Sequence, residues 1–155
     1  MSQPPRVGPI HHIAIIVRSI DVALPRYRDL FGLLPEADPM EFAPQGVRLC
    51  FLRTGPMPAA RIELIEPLDD ASGVARFLAT RGEGLHHICL ATDDLPLELD
   101  RLAAQEAELI DHRPRAGAHG PVGFVHPRTL TGVLWELLQA DHPDGAERDQ
   151  EQSNP

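Results

Sequence analysis

The chain has 155 residues, of which 43% are apolar, so it can bury one core or two small modules that share one. Its net charge of −9, without a run of basic residues, argues against nucleic-acid binding, and no apolar run approaches the roughly 20 residues of a membrane-spanning helix. Cys50 and Cys89 lack CxxC spacing and the N-terminus lacks a signal-peptide core, which indicates buried free thiols in a cytoplasmic protein.

The first half of the chain reads as a strand, a helix and three further strands. A loose arm over residues 1–8 precedes a strand at 10–17, and an amphipathic helix follows over about 22–31. The three further strands are predicted at 40–42, 47–52 and 61–67.

The second half repeats this order after a polar link that contains a helical turn or two over 73–80. A strand at 86–92 is followed by a helix over about 95–106. The remaining strands are predicted near 108–111, at 121–126 and at 132–138. The tail over 140–155 is polar and acidic, and we expect it to be disordered.

A His-His-Ile motif opens the first strand of each half. Because alternate side chains share one face of a strand, His12 and His87 point to one face, and His11 and His86 to the other. We therefore expect His11 and His86 to have capping or packing roles. The same motif before two strands indicates a duplicated module with a site shared between the copies.

A glutamate in the last strand of each half, Glu63 or Glu136, completes the repeat. The marker histidines His12 and His87 are 75 positions apart and the glutamates 73, so a two-fold arrangement would bring all four groups to one centre. Burial of unpaired carboxylates is costly, and a divalent cation bound by two imidazoles and two carboxylates would offset that cost. This donor set suits Co²⁺, Zn²⁺, Ni²⁺, Mn²⁺ or Fe²⁺ and does not choose among them.

Several stretches carry a resemblance to a known family: residues 11–15, 62–68, 82–88, 114–120, 124–127 and 132–137. Over about residues 9–139 the chain resembles the vicinal oxygen chelate (glyoxalase/bleomycin-resistance/dioxygenase) superfamily, and within it the methylmalonyl-CoA epimerases. The sequences Gly-Glu-Gly-Leu-His-His and Gly-Ala-His-Gly are more specific to the epimerases than to the superfamily.

The resemblance implies an α+β fold in a single domain over residues 9–139. Two βαβββ modules, about 9–68 and 84–139, would form a shared, partly closed β-barrel-like sheet with a central metal site. The resemblance also implies a homodimer and one divalent metal ion per chain, with cobalt favoured. The metal ligands would be His12, Glu63, His87 and Glu136.

The function implied by the resemblance is epimerisation of (2R)- and (2S)-methylmalonyl-CoA by removal of the α-proton through a metal-stabilised enolate. Glu63 and Glu136, which come from different modules, would be the acid–base groups on the two faces of the α-carbon. Candidate contacts to this small-molecule acyl-CoA substrate are Arg113, Arg115 and His119.

One departure from the family pattern concerns Glu63. Some epimerases have glutamine at this position and carry a separate catalytic glutamate after a Gln-Gly-Val turn. Here the corresponding turn, residues 45–47, is followed by Arg48 and Leu49, so that carboxylate is missing. We therefore expect Glu63 to be the second acid–base group, and its role as a metal ligand stays open.

Other functions of the same fold also stay open. A glyoxalase I-like isomerase would use the same four ligands, and another acyl-thioester isomerase is equally compatible with them. An extradiol-type dioxygenase would need only two histidines and one glutamate, so the additional Glu63 counts against it. A non-catalytic ligand-binding protein would be expected to lack the full metal set. Fold alone does not decide among these functions.

Overall fold

A computed structural model describes residues 4–140 of the chain. The first half consists of β1 (Val7–Ile16), α1 (Ile20–Phe31), β2 (Met40–Phe42), β3 (Val47–Arg53) and β4 (Arg61–Pro67). The second half consists of α2 (Gly73–Arg81), β5 (Gly84–Thr92), α3 (Leu95–Ala104), β6 (Arg115–Gly117), β7 (Gly120–Val125) and β8 (Trp135–Gln139). Residues 1–3 of the predicted arm and 141–155 of the predicted tail lie outside the described residues.

The first half follows the prediction closely, with small shifts at its element ends. Strand β1 begins at Val7, three residues before the predicted start, so the end of the expected loose arm is part of the strand. Helix α1 begins two residues early because the Ser19 hydroxyl accepts a hydrogen bond from the Val22 N–H at 3.3 Å and caps the helix. Gly32 ends the helix in the left-handed conformation, with φ of 68°.

The second half differs from the prediction between α3 and β8. Within residues 108–111 the strand that we expected does not form, and Leu109 makes only an isolated bridge to Val125. A three-residue strand, β6, lies further along and pairs with β7 through a tight turn. A Cβ atom on Gly117 would lie 2.6 Å from the carbonyl oxygen of Gly120, so this turn requires glycine.

The described residues form two compact units, one over 11–88 and one over 4–10 and 89–140. The boundary falls inside β1 and inside β5. The two modules implied by the resemblance, about 9–68 and 84–139, stay a prediction.

In the unit over 11–88 the strands lie in the order β2-β3-β4-β1-β5. Strand β1 is parallel to β4, and β3 is antiparallel to both β2 and β4. Helix α1 covers one face of these strands. The core under the helix is formed by buried residues Val17, Ile20, Cys50, Leu52 and Leu64, against which Ile62 and Tyr27 pack. The opposite face of β1 carries His12, Ala14 and Ile16, which are also buried.

In the other unit β8 lies between β5 and β7, with β6 at the edge. Helix α3 packs on these strands through Leu95 and Leu99, and Trp135 packs against the same cluster. On this helix Ala103 is exposed, whereas Glu98 is buried.

Both cysteines are buried and neither forms a disulfide, which confirms the prediction of two buried thiols. Burial raises the pKa of the Cys50 thiol. None of the helices within residues 4–140 is both long enough and apolar enough to cross a membrane.

The core under α1 can be tested at Leu64, whose side chain is fully buried. We expect Leu64→Ala to lower the free energy of unfolding by about 2–5 kcal/mol, because it removes buried methyl groups and leaves a cavity. The control is Leu85→Ala, at a position 58% exposed, where the change should stay within about 0.5 kcal/mol. Urea denaturation measures both values, and equal losses would contradict this assignment of the core.

Candidate metal centre

Three of the four predicted metal ligands come together in the unit over residues 11–88: His12 on β1, Glu63 on β4 and His87 on β5. Their exposed fractions are only 3%, 5% and 4%. The strand register explains the grouping, because Ala14 pairs with Glu63 in the parallel β1–β4 ladder and shares its face with His12.

The three ligand atoms form a small triangle. His12 Nε2 lies 3.2 Å from His87 Nε2 and 3.2 Å from Glu63 Oε2, and the third side, from His87 Nε2 to Glu63 Oε2, is 3.9 Å. In the plane of the triangle, the point equidistant from these atoms is about 2.0 Å from each of them. Metal–nitrogen and metal–oxygen bonds in proteins measure roughly 2.0–2.2 Å, so the three side chains fit a divalent cation without rearrangement.

The electrostatic environment of Glu63 also fits a cation. Arg61 lies two residues earlier on the same face of β4, but its Nε donates to Glu36 at 2.8 Å. Glu98 provides a contrast, because it is buried even more deeply than Glu63 but is neutralised by Arg101, whose Nε lies 3.0 Å from both carboxylate oxygens. Glu63 instead faces two imidazole rings, and a divalent cation would balance its charge while using both Nε2 lone pairs.

Each ligand histidine also contacts the histidine that precedes it in the sequence. The Nδ1 atoms of His11 and His12 are 2.8 Å apart, and those of His86 and His87 are 2.8 Å apart as well. Strand alternation correctly separated the outer from the inner histidines but did not predict these contacts. The contacts form between Nδ1 atoms because Nδ1 is the ring nitrogen nearer the backbone. At that distance from the backbone, the side chains of two consecutive residues can still come into contact.

Glu136, the fourth predicted ligand, lies on β8 in the other unit and is 7% exposed. It stands directly opposite Phe124 of β7 in the antiparallel ladder, so the two side chains share a face. Its predicted roles as a metal ligand and as an acid–base group stay predictions.

The three predicted substrate contacts belong to the same unit as Glu136. Arg115 pairs in register with Val122, which lies on the same face of β7 as Phe124. The guanidinium of Arg115 lies 4.9 Å from the centre of the Phe124 ring. Arg115 is therefore on the face of β7 and β8 that carries Glu136, with Asp111 as its ion-pair partner at 3.2 Å. Exposed positions Arg113 and His119 lie in the loop before β6 and in the turn after it.

Leu49 occupies the position at which some epimerases were expected to carry a separate catalytic glutamate. Leu49 on β3 is 3% exposed and pairs with Ile65, on the face of β4 that carries Glu63. An apolar side chain therefore occupies the place next to Glu63, and on this face of β4 Glu63 is the carboxylate that faces the two histidines.

The chain is similar in sequence to known proteins. Residues 11–124 match the sequence family described as "Glyoxalase/Bleomycin resistance protein/Dioxygenase superfamily". The chain is 36% identical over 136 residues to the ethylmalonyl-CoA/methylmalonyl-CoA epimerase of Cereibacter sphaeroides, and the match covers 86% of this chain and 98% of that protein.

Solved structures of similar proteins have the same fold. The methylmalonyl-CoA epimerase from Mycobacterium tuberculosis matches with a TM-score of 0.81 at 32% identity, covering 94% of this chain and 97% of that one. A variant of the Streptomyces coelicolor methylmalonyl-CoA epimerase in complex with 2-nitronate-propionyl-CoA matches with a TM-score of 0.78 at 30% identity, covering 84% and 93%. The resemblance and the α+β fold class inferred from the sequence are confirmed.

If the three-residue group binds a metal ion, the ion should stabilise the folded protein, and this stabilisation should depend on His87. A cation that binds only the folded state at 100 times its Kd adds about 2.7 kcal/mol of stability. We expect Co²⁺ or Zn²⁺ to raise the Tm of EDTA-treated protein, and His87→Ala to abolish that rise. His112→Ala, at an exposed position, is the control and should keep it. An equal rise in both variants would contradict a metal site at His87.

Proposed function

The chain belongs to the Glyoxalase/Bleomycin resistance protein/Dioxygenase superfamily, and on that basis we propose that it is a metal-dependent methylmalonyl-CoA epimerase. The observation that carries the proposal is the convergence of His12 Nε2, His87 Nε2 and Glu63 Oε2 on one point. The similarity to named epimerases over most of the chain supports the choice of reaction and of an acyl-CoA substrate.

In this proposal His12, Glu63 and His87 hold the metal together with Glu136, and cobalt is the favoured ion, as in the family resemblance. The bound cation would supply Lewis-acid stabilisation of negative charge on the thioester oxygen of the substrate. The burial of the three grouped side chains keeps bulk water from the ligand atoms, which strengthens electrostatic interactions in the site.

Proton transfer falls to the two glutamates. One carboxylate removes the α-proton, and the electron pair of the C–H bond moves onto the thioester carbonyl. The conjugate acid of the other carboxylate then returns a proton to the opposite face of the α-carbon. In this scheme Glu63 combines this role with metal binding: Oε2 lies in the ligand triangle, and the other carboxylate oxygen would accept the proton.

The anionic groups of the acyl-CoA require positive charge, and we assign this role first to Arg115. Its position over Phe124 fixes the guanidinium on the sheet face that carries Glu136. Arg113 and His119 are proposed as neighbouring contacts from the adjacent loop and turn. The homodimer that the resemblance implies also stays a proposal.

The test of the function is an assay of the metal-reconstituted protein with (2R)- and (2S)-methylmalonyl-CoA in deuterated water. We expect interconversion with incorporation of deuterium at the α-carbon. Failure with every divalent metal would refute the proposal, and ethylmalonyl-CoA and a glutathione hemithioacetal would then test the rival isomerases. A two-histidine, one-carboxylate group also suits Fe²⁺ oxygenases, so oxygen consumption by the iron-loaded protein with a catechol would favour a dioxygenase.

The two-glutamate scheme predicts that Glu63→Gln and Glu136→Gln each lower the rate of α-proton exchange by about 10²–10⁴-fold, because an amide cannot accept or return the proton. The readout is deuterium incorporation followed by mass spectrometry, with circular dichroism to verify the fold. Glu41→Gln, at an exposed position on β2, is the control and should leave the rate unchanged. Full exchange in either active-site variant would contradict the scheme.

The role of Arg115 predicts a change in KM that leaves metal affinity unaltered. Arg115→Leu should raise KM for methylmalonyl-CoA about tenfold, since a hydrogen bond from a charged group contributes about 1.5 kcal/mol. Arg128→Leu is the matched control, because Arg128 is an exposed arginine that pairs with Glu108 at 2.6 Å. An unchanged KM in Arg115→Leu would remove this residue from the substrate site.

A further inference from the structure

The two histidines that precede the ligand histidines are not explained by the proposed reaction. We propose that His11 and His86 are positioning residues, each of which accepts a hydrogen bond from its neighbour and so selects the tautomer and ring orientation that present Nε2 to the metal. This inference rests on the proposed metal centre and deepens it.

The hydrogen bond follows from the distances and from imidazole chemistry. Two nitrogens 2.8 Å apart are within hydrogen-bond distance, so one must carry the proton and the other the lone pair. A neutral histidine that offers its Nε2 lone pair to a cation has its proton on Nδ1. His12 and His87 must then donate from Nδ1, and His11 and His86 must accept.

The opposite tautomer is incompatible with the metal. If His11 donated to His12, the His12 proton would sit on Nε2, the atom that lies 3.2 Å from Glu63 Oε2 and 3.2 Å from His87 Nε2. That arrangement would satisfy Glu63 by a hydrogen bond and would occupy the lone-pair position needed for the cation. The direction of the Nδ1–Nδ1 hydrogen bond is therefore coupled to metal binding.

The outer rings are themselves held in place by aromatic packing. His86 meets Phe77 of α2 edge to face, with ring centroids 5.0 Å apart, and His11 meets Phe51 of β3 edge to face at 5.9 Å. Both outer histidines are half-buried. The Nδ1–Nδ1 contact thus occurs in both histidine pairs, although the aromatic residues that support the outer rings come from different elements. The recurrence indicates that the contact itself matters, rather than one local packing arrangement.

Histidine is a distinctive choice for this position. Metal-bound histidines usually donate their second N–H to a carboxylate, a backbone carbonyl or water. A neutral imidazole accepts the same hydrogen bond without adding negative charge beside a centre that already contains Glu63. Loss of such a supporting partner typically weakens metal affinity 10–100-fold.

The test compares His86→Leu, which removes the acceptor, with His86→Asn, whose amide oxygen can replace Nδ1. Metal affinity is measured on the substrate-free protein by competition of Co²⁺ or Zn²⁺ with a chromophoric chelator. We expect His86→Leu to weaken affinity by about 10–100-fold and His86→Asn to stay within a few-fold of wild type. Ile88→Ala, at a half-buried position on the same face of β5, is the matched control and should bind as wild type.

Nitrogen-15 NMR of the zinc-loaded wild type supplies a readout that does not depend on how the variants fold. His12 and His87 should show a protonated Nδ1 and a zinc-bound Nε2, and zinc bound at Nδ1 would overturn the inference. An unchanged affinity in a folded His86→Leu would also overturn it while leaving the metal centre intact. Wild-type protein that binds no divalent cation would overturn the proposed metal centre and the inference together.

Discussion

The constraint on which the site depends is the burial of the Glu63 carboxylate against two imidazole rings. A charge in that position must be balanced, and Arg61, which lies two residues earlier on the same face of β4, donates its hydrogen bond to Glu36 instead. Two nitrogens and one oxygen at the separations of a coordination sphere make a divalent cation the simplest counter-charge. The chemistry proposed for the chain follows from that requirement.

Burial alone does not identify a functional carboxylate. Glu98 is more deeply buried than Glu63, yet it accepts hydrogen bonds from Arg101 and from the Arg6 N–H, so it holds the start of β1 against α3 and has no charge left to balance. The difference between the two glutamates is the chemistry of their neighbours. A guanidinium makes one a structural ion pair, and two imidazoles make the other a candidate ligand.

Apolar residues of β3 surround the candidate ligands His12 and Glu63. Phe51 lies opposite Glu63 in the β3–β4 ladder and packs on the rings of both His11 and His12. Leu49 on the same strand is apolar and buried, and it pairs with Ile65 on the face of β4 that carries Glu63. In the second compact unit, one sheet face carries both Arg115 and Glu136.

The sequence by itself determined which residues would share a strand face and which family the chain resembles. Strand alternation separates His12 from His11 and places Glu63 on the inner face, and it does so without any knowledge of the fold. Only the tertiary structure decided which of these faces meet, because strand order and register depend on residues far apart in the chain. It placed the three-residue strand β6, which was too short for periodicity to reveal. It also set the Nδ1 contacts of the histidine pairs, which depend on side-chain rotation rather than on spacing.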